Sequence, residues 1–382
     1  MIWPWVLFLS LGIFGLTYPY VIYPLVLRLG KKRFDVGAAP EPEIWPPVTV
    51  IIAAHNAAGR IGAKVRRMRA HEYPGSMEII VADDGSKDDT ADEAQDAGAD
   101  HVLRLSRVGK SEAQNQAVEV ATGEVLVFSD VTVAAEPGSI GKLVAELLQP
   151  GVGCVTGVDV SVPGDGQDAA EGAGFYTRFE IYVRRREAQT GTLIGVNGCL
   201  FVVRKKDRPP VPPECVDDLY VPLAVCDRGL RVTLHPEARA VVPRSTSFAD
   251  EYRRKVRTFA GGIFTMMRVY RHLPRAKRRC RRQLVGHKWM RWLGPFFSVL
   301  TLYATFGLAM RWWPAWSLFG GELVAALLAG FGIAAAVAGR DVGRGLRLPG
   351  FFGLVQIALL HAWYRVLTWR PYITWDPTRR EF

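Results

Sequence analysis

Residues 48–56 read VTVIIAAHN, an apolar run that ends abruptly in a His-Asn pair. Three further stretches place carboxylates next to apolar residues, at 79–86 (IIVADDGS), 127–130 (VFSD) and 216–219 (VDDL). Buried parallel strands typically have such sequences, with continuous hydrophobic runs and polar groups at their carboxyl ends. In open α/β sheets that edge is where nucleotides bind. The pattern therefore predicts an α/β domain with a doubly wound, mostly parallel sheet and a nucleotide site.

Strand and helix patterns alternate from about residue 46 to about residue 243, as they do in doubly wound folds. The predicted strands are 48–54, 78–82 and 125–128, and the predicted helices are 61–71, 89–97, 111–121 and 219–225.

Apolar segments of membrane length flank this region. Residues 3–27 carry no charge and are followed by Arg28 and further basic residues, which predicts an N-terminal span with the following domain in the cytoplasm. No cleavable signal peptide is expected, because a basic leader and a small-residue cleavage site are missing. The three prolines of this segment could kink or split it. The remaining candidate spans are 292–310, 323–339 and 348–364.

The sequence is compatible with a C-terminus on either side of the membrane. Three spans after a cytoplasmic domain would place it outside, whereas the basic residues of the tail argue for inside. One of the three segments could therefore lie in the membrane interface. The expected organisation is an anchor (1–29), a cytoplasmic α/β domain (30–250), basic interfacial helices (251–291), a membrane region (292–370) and a basic tail (371–382).

Positive charge is concentrated in one part of the chain. The formal net charge is +11, and residues 253–291 hold fourteen Lys or Arg with neither Asp nor Glu. This stretch leads into the apolar segment at Trp292, and juxtamembrane basic clusters favour anionic lipid head groups on the cytoplasmic side. Nucleic acid is the weaker partner because no DNA- or RNA-binding motif is present. Five Cys without metal-ligand spacing indicate idle thiols in a reducing compartment.

Two motifs contain groups suited to a nucleotide. Asp83 and Asp84 stand before Gly85 at a strand-to-helix turn, where a carboxylate can bond a ribose hydroxyl or a base N–H. A plain turn with a helix cap is the alternative. Lys110 follows Gly109 at the start of a small-residue helix, where its charge could meet a diphosphate. The rest of a P-loop is missing, and a solvated surface lysine is the alternative.

Three further carboxylates are candidates for metal binding or proton transfer. Asp130 at a strand end is a candidate Mg²⁺ or Mn²⁺ ligand, because hard cations take oxygen ligands and bridge phosphates; a loop cap is the alternative. Asp217 and Asp218 precede an apolar helical stretch, and one of them could be a general base with a pKa adjusted by its neighbour. The same pair equally suits a helix N-terminus.

Together, the order and spacing of these motifs resemble the family 2 glycosyltransferases, inverting enzymes of GT-A fold that include membrane-integrated polysaccharide synthases. The resemblance runs from about residue 46 to 291. The matching elements are the polar-Asn pair after the first strand (residues 54–56), the intact DDGS motif (83–86), a GKxxAxN element (109–115), a small-residue turn (195–201) and the acidic pair (217–218).

This resemblance implies a nucleotide-sugar donor and the residues that would bind it. Asp84, with Asp83, would contact the uracil and ribose of a UDP-sugar. The other donor-side residues implied are Ala54, His55, Asn56 and Lys110.

The resemblance also implies groups for the diphosphate. Asp130, with Thr132, would hold a divalent metal, Mg²⁺ or Mn²⁺. Arg254 and Arg257 occupy the place of the family's Q-x-x-R-W motif and would neutralise the leaving diphosphate, a task that suits Arg. An interfacial basic helix that holds lipid is the alternative for both arginines, and the two roles are compatible.

On the acceptor side, the resemblance implies a catalytic pair and a turn beside it. Asp218, next to Asp217, would deprotonate the acceptor hydroxyl for in-line attack at the anomeric carbon. The acceptor-side turn contains Gly195, Asn197 and Gly198.

The chain departs from the family pattern in three places. The family's metal motif is Asp-x-Asp, whereas Asp130 is followed by Val131 and Thr132, which implies weaker metal dependence or a site completed elsewhere. Ala57 stands where an acidic residue is usual. Trp is absent from residues 254–258, which argues against long-chain synthesis.

The implied function is transfer of a sugar to a lipid-linked or glycan acceptor at the inner (plasma) membrane, in cell-envelope or exopolysaccharide synthesis. Other polysaccharide-assembly proteins are candidate partners. The alternatives are a processive synthase, a polyprenyl-phosphate glycosyltransferase and a catalytically inactive scaffold. The N-terminal anchor argues against the second of these, and the intact acidic motifs argue against the third.

Overall fold

The computed structural model of the protein describes residues 2–161, 170–242, 248–338, 340 and 344–374. The strands are β1 (Val48–Ala54), β2 (Met77–Asp84), β3 (His101–Leu105), β4 (Val125–Ser129), β5 (Ala134–Ala135), β6 (Val152–Ser161), β7 (Leu200–Arg204) and β8 (Arg231–Val242). The helices before β8 are α1 (Trp3–Thr17), α2 (Tyr23–Leu29), α3 (Ile61–Arg69), α4 (Thr90–Asp96), α5 (Lys110–Val120), α6 (Ser139–Leu147), α7 (Ala170–Thr190) and α8 (Asp217–Asp227). The later helices are α9 (Phe248–His272), α10 (Pro274–Arg279), α11 (Arg281–Gln283), α12 (Met290–Trp292), α13 (Gly294–Ala309), α14 (Ala315–Val337) and α15 (Arg344–Leu367).

The eight strands form one mixed sheet in the order β3-β2-β1-β4-β7-β6-β8-β5. The first four of these run parallel, β7 is antiparallel to both of its neighbours, and β6 and β8 run parallel to each other. Six strands therefore share one direction, which confirms the expected mostly parallel α/β sheet. The antiparallel β7, inserted between β4 and β6, was not predicted.

Helices cover both faces of the sheet, which explains the unbroken hydrophobic runs of its central strands. Every residue of β1 is buried. Because successive side chains point to opposite faces, Val50 and Ile52 join a core with α3 and α6, whereas Ile51 joins a core with α5, α8 and α9. The carboxyl ends of β1, β2 and β4 meet at one edge, where the polar motifs lie.

Pro19 lies in a widened turn of the N-terminal helix, and none of the three prolines of this segment breaks it. α1 continues through a π-helical turn, Tyr18–Ile22, into α2, so that Trp3–Leu29 forms one 27-residue helix. A proline lacks the N–H donor and crowds the preceding turn, and the wider π-turn at Pro19 accommodates this. α1 packs along α13, where a Cβ added at Gly15 would overlap the Phe297 ring.

By length and composition, three helices of the described chain could cross a membrane: Trp3–Leu29, Ala315–Val337 and Gly345–Leu367. A fourth crossing would result if the bent pair Arg281–Trp292 and Gly294–Ala309, which meet at 60°, formed one span.

α15 packs against α9 as well as against α14. Lys255 Nζ of α9 stands 4.8 Å from the centre of the Phe351 ring, and Tyr252 Oη hydrogen-bonds with His361 Nδ1 at 3.0 Å. The chain after α15 therefore returns to the sheet domain.

Candidate functional site

The polar pair that follows β1 fixes the turn that follows β2. His55 is buried, and its Nδ1 lies 2.8 Å from the backbone oxygen of Asp84. Asn56, with a φ of 46°, donates its backbone N–H to Ser86 Oγ at 2.9 Å and accepts a hydrogen bond from Lys87 N at 3.0 Å. The two residues thus join the neighbouring strand ends at the carboxyl edge of the sheet.

Asp83 and Ala54 are directly paired across β2 and β1, and both are buried. The Asp83 carboxylate accepts a hydrogen bond from Ser86 N at 3.1 Å, so it closes the turn of the DDGS motif. Gly85 has a φ of 66°, and a Cβ there would come within 2.9 Å of Arg107 N. The turn therefore needs glycine for both its conformation and its close approach to the next loop.

Asp84 organises the loop that leads to Lys110. It is fully buried, and its Oδ1 accepts hydrogen bonds from Val108 N at 2.7 Å and Gly109 N at 2.9 Å. Arg107 Nη1 lies 3.6 Å from Oδ2 of the same carboxylate. The contact of Asp83 and Asp84 with a nucleotide stays a prediction, whereas their role in shaping the two turns is evident from these bonds.

Lys110, the first residue of α5, joins two of the candidate carboxylates. Its Nζ lies 3.0 Å from Asp130 Oδ1 and 3.5 Å from Asp217 Oδ2. Burial opposes the lysine charge, but Asp130 and Asp217 raise the pKa of Lys110 above its ordinary value. The structure thus brings together groups that are 20 and 107 positions apart along the chain.

Asp218 faces the turn expected on the acceptor side. Its backbone oxygen accepts a hydrogen bond from Val196 N at 2.8 Å, and a Cβ built at Gly198 would lie 3.4 Å from Asp218 Oδ2. A Cβ at Gly195 would lie 3.5 Å from the Asp218 backbone oxygen. The turn therefore lies directly against Asp218, with Gly198 next to its carboxylate.

Asn197 stabilises this turn from within. Its backbone N–H donates to Thr156 Oγ1 at 2.8 Å, and its Oδ1 accepts a hydrogen bond from Cys199 N at 3.3 Å. We infer that Asn197 positions the turn beside Asp218.

The charge state of Asp218 is set by its surroundings. Burial and the adjacent Asp217 carboxylate raise the pKa of Asp218 to about 6, against the opposing charges of Lys288, Lys110 and Arg184. At neutral pH the carboxylate is therefore ionised, yet it is a stronger base than an exposed aspartate.

Three basic residues near the site were not singled out from the sequence. Arg184 acts on Asp218 from α7, and Lys288 acts on it from a π-helical turn before α12; no motif marks either of them. Lys64 Nζ donates to Ser129 Oγ and to the Val133 backbone oxygen, both at 2.7 Å, beneath the loop that holds Asp130.

A sequence signal for Lys64 did exist. Ile61, Lys64, Val65 and Met68 of α3 are all buried, and their spacing places the lysine on the apolar face of the helix. Burial lowers the pKa of Lys64 to about 7, although the charge of Asp130 opposes this shift.

Arg254 and Arg257 lie one helical turn apart on α9, and both are half-buried. Arg254 forms a two-pronged pair with Glu251, with Nη2 to Oε1 at 2.8 Å and Nε to Oε2 at 3.0 Å. Burial opposes this charge, but Glu251 raises the pKa of Arg254. α9 approaches the acidic pair further along, where Val216 N donates to Thr265 Oγ1 at 3.0 Å.

Asp130 offers a limited set of metal ligands. Its side chain is 34% exposed, and the hydroxyl of Thr132 follows two residues later. No group of three His, Cys, Asp or Glu suited to a metal occurs within the part of the chain that the structure describes. One carboxylate fits a Mg²⁺ or Mn²⁺ ion whose other ligands are substrate phosphates and water, and does not fit an all-protein cage.

Comparison with known proteins identifies the sheet domain. The family model described as glycosyl transferase family 2 matches residues 49–208. An N-acetylglucosaminyltransferase of Rhizobium leguminosarum bv. trifolii is 30% identical over 156 residues, which cover 38% of this chain and 84% of that protein. A second N-acetylglucosaminyltransferase, from a Rhizobium species, is 32% identical over 124 residues, covering 30% of this chain and 27% of the relative. The chain thus spans about a quarter of the length of this second relative.

A solved structure shares the fold over nearly the whole chain. The mannosyltransferase from Pyrobaculum calidifontis, in complex with GDP-Man and Mn²⁺, superimposes with a TM-score of 0.70 at 20% identity. The match covers 94% of this chain and 99% of that one, so the GT-A fold and the flanking helices are shared. With the matched sequence motifs gathered at one edge of this sheet, the chain belongs to glycosyltransferase family 2.

Proposed function

We propose that this protein is an inverting glycosyltransferase that moves a sugar from a nucleotide-sugar donor to a membrane-associated lipid or glycan acceptor. A UDP-sugar is the first candidate donor, and cell-envelope or exopolysaccharide synthesis is the proposed context. The proposal rests on one observation: Lys110, Asp130 and Asp217 meet at the carboxyl edge of the sheet. Asp218 follows Asp217 in the sequence and lies beside the Gly198 turn.

The proposed chemistry begins at Asp218. Its carboxylate takes the proton of an acceptor hydroxyl while the hydroxyl oxygen attacks the anomeric carbon of the donor sugar. The bond between that carbon and the diphosphate oxygen breaks on the opposite face, so the configuration inverts. The proton ends on Asp218, and the electron pair of the broken bond stays on the nucleoside diphosphate.

The leaving diphosphate needs positive charge in place before the reaction. Lys110 is held at the site by Asp130 and Asp217, and Arg254 and Arg257 are the further candidates. Asp130 would hold a divalent cation, which would neutralise part of the diphosphate charge. The relative crystallised with GDP-Man and Mn²⁺ supports this assignment of a metal.

The position of the segment after α15 indicates on which side of the membrane it lies. A Cβ at Gly109 would overlap the backbone oxygen of Ile373, so the segment after α15 packs beside the loop that carries Lys110. We infer that the sheet domain and residue 373 lie on the same side of the membrane. Two crossings after the sheet domain meet this condition, and α14 and α15 are the two described helices there that are long and apolar enough to span. The basic flank after α2 favours the cytoplasmic face of the plasma membrane.

The proposal is tested by transfer from radiolabelled UDP-, GDP- and other nucleotide sugars, using protein in detergent with membrane lipid extract. N-Acetylglucosamine and mannose donors come first because relatives carry those names. The expected result is one preferred donor, a lipid-extractable product of short length, and NMR couplings that show inversion. A long ladder of products would favour the processive synthase. Neither transfer, donor hydrolysis nor nucleotide binding, with Mg²⁺ and with Mn²⁺, would favour the inactive scaffold.

The pKa of Asp218 predicts a pH profile. Because the base acts when deprotonated and its pKa is about 6, kcat/KM should rise with pH through about 6 and level off above pH 7. Below the pKa the rate should fall about tenfold per pH unit. The profile is measured with nucleotide binding followed in parallel, and a flat rate between pH 5 and 8 would contradict this role of Asp218.

A further inference from the structure

A second cavity lies at the opposite edge of the sheet from the carboxylate cluster. It has a volume of about 840 Å³ and is lined in part by Gly151, just before β6, and by Arg231, the first residue of β8. α8 begins at Asp217, and Gly229, which follows its end, also lines the cavity. Because an 11-residue helix is about 16 Å long, the cavity is separate from the proposed transfer site.

The walls of this cavity are strongly basic. Six arginines line it, no Asp or Glu does, and none of the six pairs with a carboxylate of the described chain. They are Arg33, Arg231, Arg278, Arg279, Arg281 and Arg282. Five of the six are exposed and Arg231 is half-buried, so their charges are available to an anion that enters the cavity. Their arrangement points to a ligand with several anionic oxygens, as in a phosphate group.

Arg231 packs against an aromatic ring at one side of the cavity. Its guanidinium stacks 4.0 Å from the centre of the Phe34 ring, and burial lowers its pKa against the charge of Glu146. Nη1 of Arg231 is buried and has no hydrogen-bond partner within the described ranges.

The basic cavity continues into an apolar one. The adjoining cavity has a volume of about 240 Å³ and shares Thr190, Arg282 and Gln283 with the first. Its other walls belong to the end of the N-terminal membrane helix: Tyr18, Tyr23, Val26, Leu27 and Gly30. An arginine cluster therefore opens directly onto an apolar slot at the end of a candidate span.

We propose that the two cavities form one binding site for an anionic phospholipid. The phosphate lies among the arginines, and the first part of an acyl chain lies beside Val26 and Leu27. A free phosphate would use the basic cavity alone, and the apolar continuation is what favours a lipid. The site goes beyond sugar transfer, since it would fasten the sheet domain to one lipid at a defined position.

The test measures lipid retention by the whole protein in a neutral detergent. Native mass spectrometry follows binding of phosphatidylglycerol, phosphatidylcholine with the same chains, and inorganic phosphate. We expect one phosphatidylglycerol per protein, with little retention of phosphatidylcholine. Arg281→Gln with Arg282→Gln should weaken phosphatidylglycerol binding about tenfold or more. Val26→Trp, which fills the apolar slot, should weaken phosphatidylglycerol binding and leave phosphate binding unchanged.

The matched control removes the same charge from the same basic stretch, outside the cavity. Arg271 and Arg275 are exposed and do not line it, so Arg271→Gln with Arg275→Gln should change binding less than about twofold. Equal losses of phosphatidylglycerol binding in the two double variants would overturn the site, because they would indicate binding to the basic surface in general. If phosphate bound as tightly as phosphatidylglycerol, the ligand would not be a lipid. Failure of the unmodified protein to retain phosphatidylglycerol would also overturn the proposal. If thermal melting shows that the first variant is unfolded, Arg278→Gln with Arg279→Gln replaces it.

Discussion

Replacing Asp218 with asparagine should lower kcat for sugar transfer by about 10³-fold, within the 10²- to 10⁴-fold range that a general base contributes. The amide has nearly the shape of the carboxylate but accepts no proton from the acceptor hydroxyl. Because Asp218 faces the Gly198 turn and Lys110 contacts Asp130 and Asp217, nucleotide binding should change only a few-fold. The measurement pairs initial rates with calorimetric binding of the nucleotide.

The control for this variant is Asp92→Asn. Asp92 is exposed on α4 and pairs with Arg104 at the surface, so its loss should leave both rate and binding unchanged. An Asp218→Asn protein that folds normally and keeps a tenth or more of the activity would exclude Asp218 as the base. The residual pH profile should also lose its inflection near pH 6.

Replacing Lys110 with methionine should lower kcat/KM by about 10²- to 10³-fold, the loss typical when one preorganised charge-stabilising group is removed. Lys110 is the cation between Asp130 and Asp217, so both carboxylates and the leaving diphosphate lose its charge. The lysine also lowers the pKa of Asp218, so its removal should move the rising limb of the pH profile to higher pH. Rates measured from pH 5 to 9 test both effects together.

Lys110→Arg separates charge from shape. This variant keeps the positive charge, so the rise of kcat/KM with pH should stay centred near pH 6 even if altered geometry slows the reaction. Lys205→Met is the matched control, because Lys205 donates a hydrogen bond to the Ala121 backbone oxygen and forms no ion pair with these carboxylates. A Lys110→Met protein with an unshifted limb and near-normal kcat/KM would contradict the bridging role.

The family and the α/β class could be read from the sequence because each depends on short runs. A strand buried on both faces must be apolar at every position, as β1 is, and its end must turn polar where it meets solvent or ligand. The order of the motifs along the chain then pointed to glycosyltransferase family 2. Lys64 could have been found in the same way, from its position on the apolar face of α3.

Local patterns also predicted the membrane-length segments but not their arrangement. The length of its apolar stretch determines whether a helix can span a membrane, and that length can be read from the sequence. That α15 lies along α9, and that Ile373 returns to Gly109, depends on packing between segments far apart in the chain. The two segments of each contact lie too far apart in the chain for a local sequence pattern to reveal that they meet.

The sequence by itself determined the family, the strand-end motifs and the candidate residues, because periodicity and motif order are local properties. Only the tertiary structure decided which of these residues meet. Lys110 bridges Asp130 and Asp217, Asp84 turns inward to hold the Gly109 loop, and separate arginines gather around a second cavity. Charge interactions act through space over a few ångströms, so the pKa of Asp218 is fixed by folding and not by its neighbours in sequence alone.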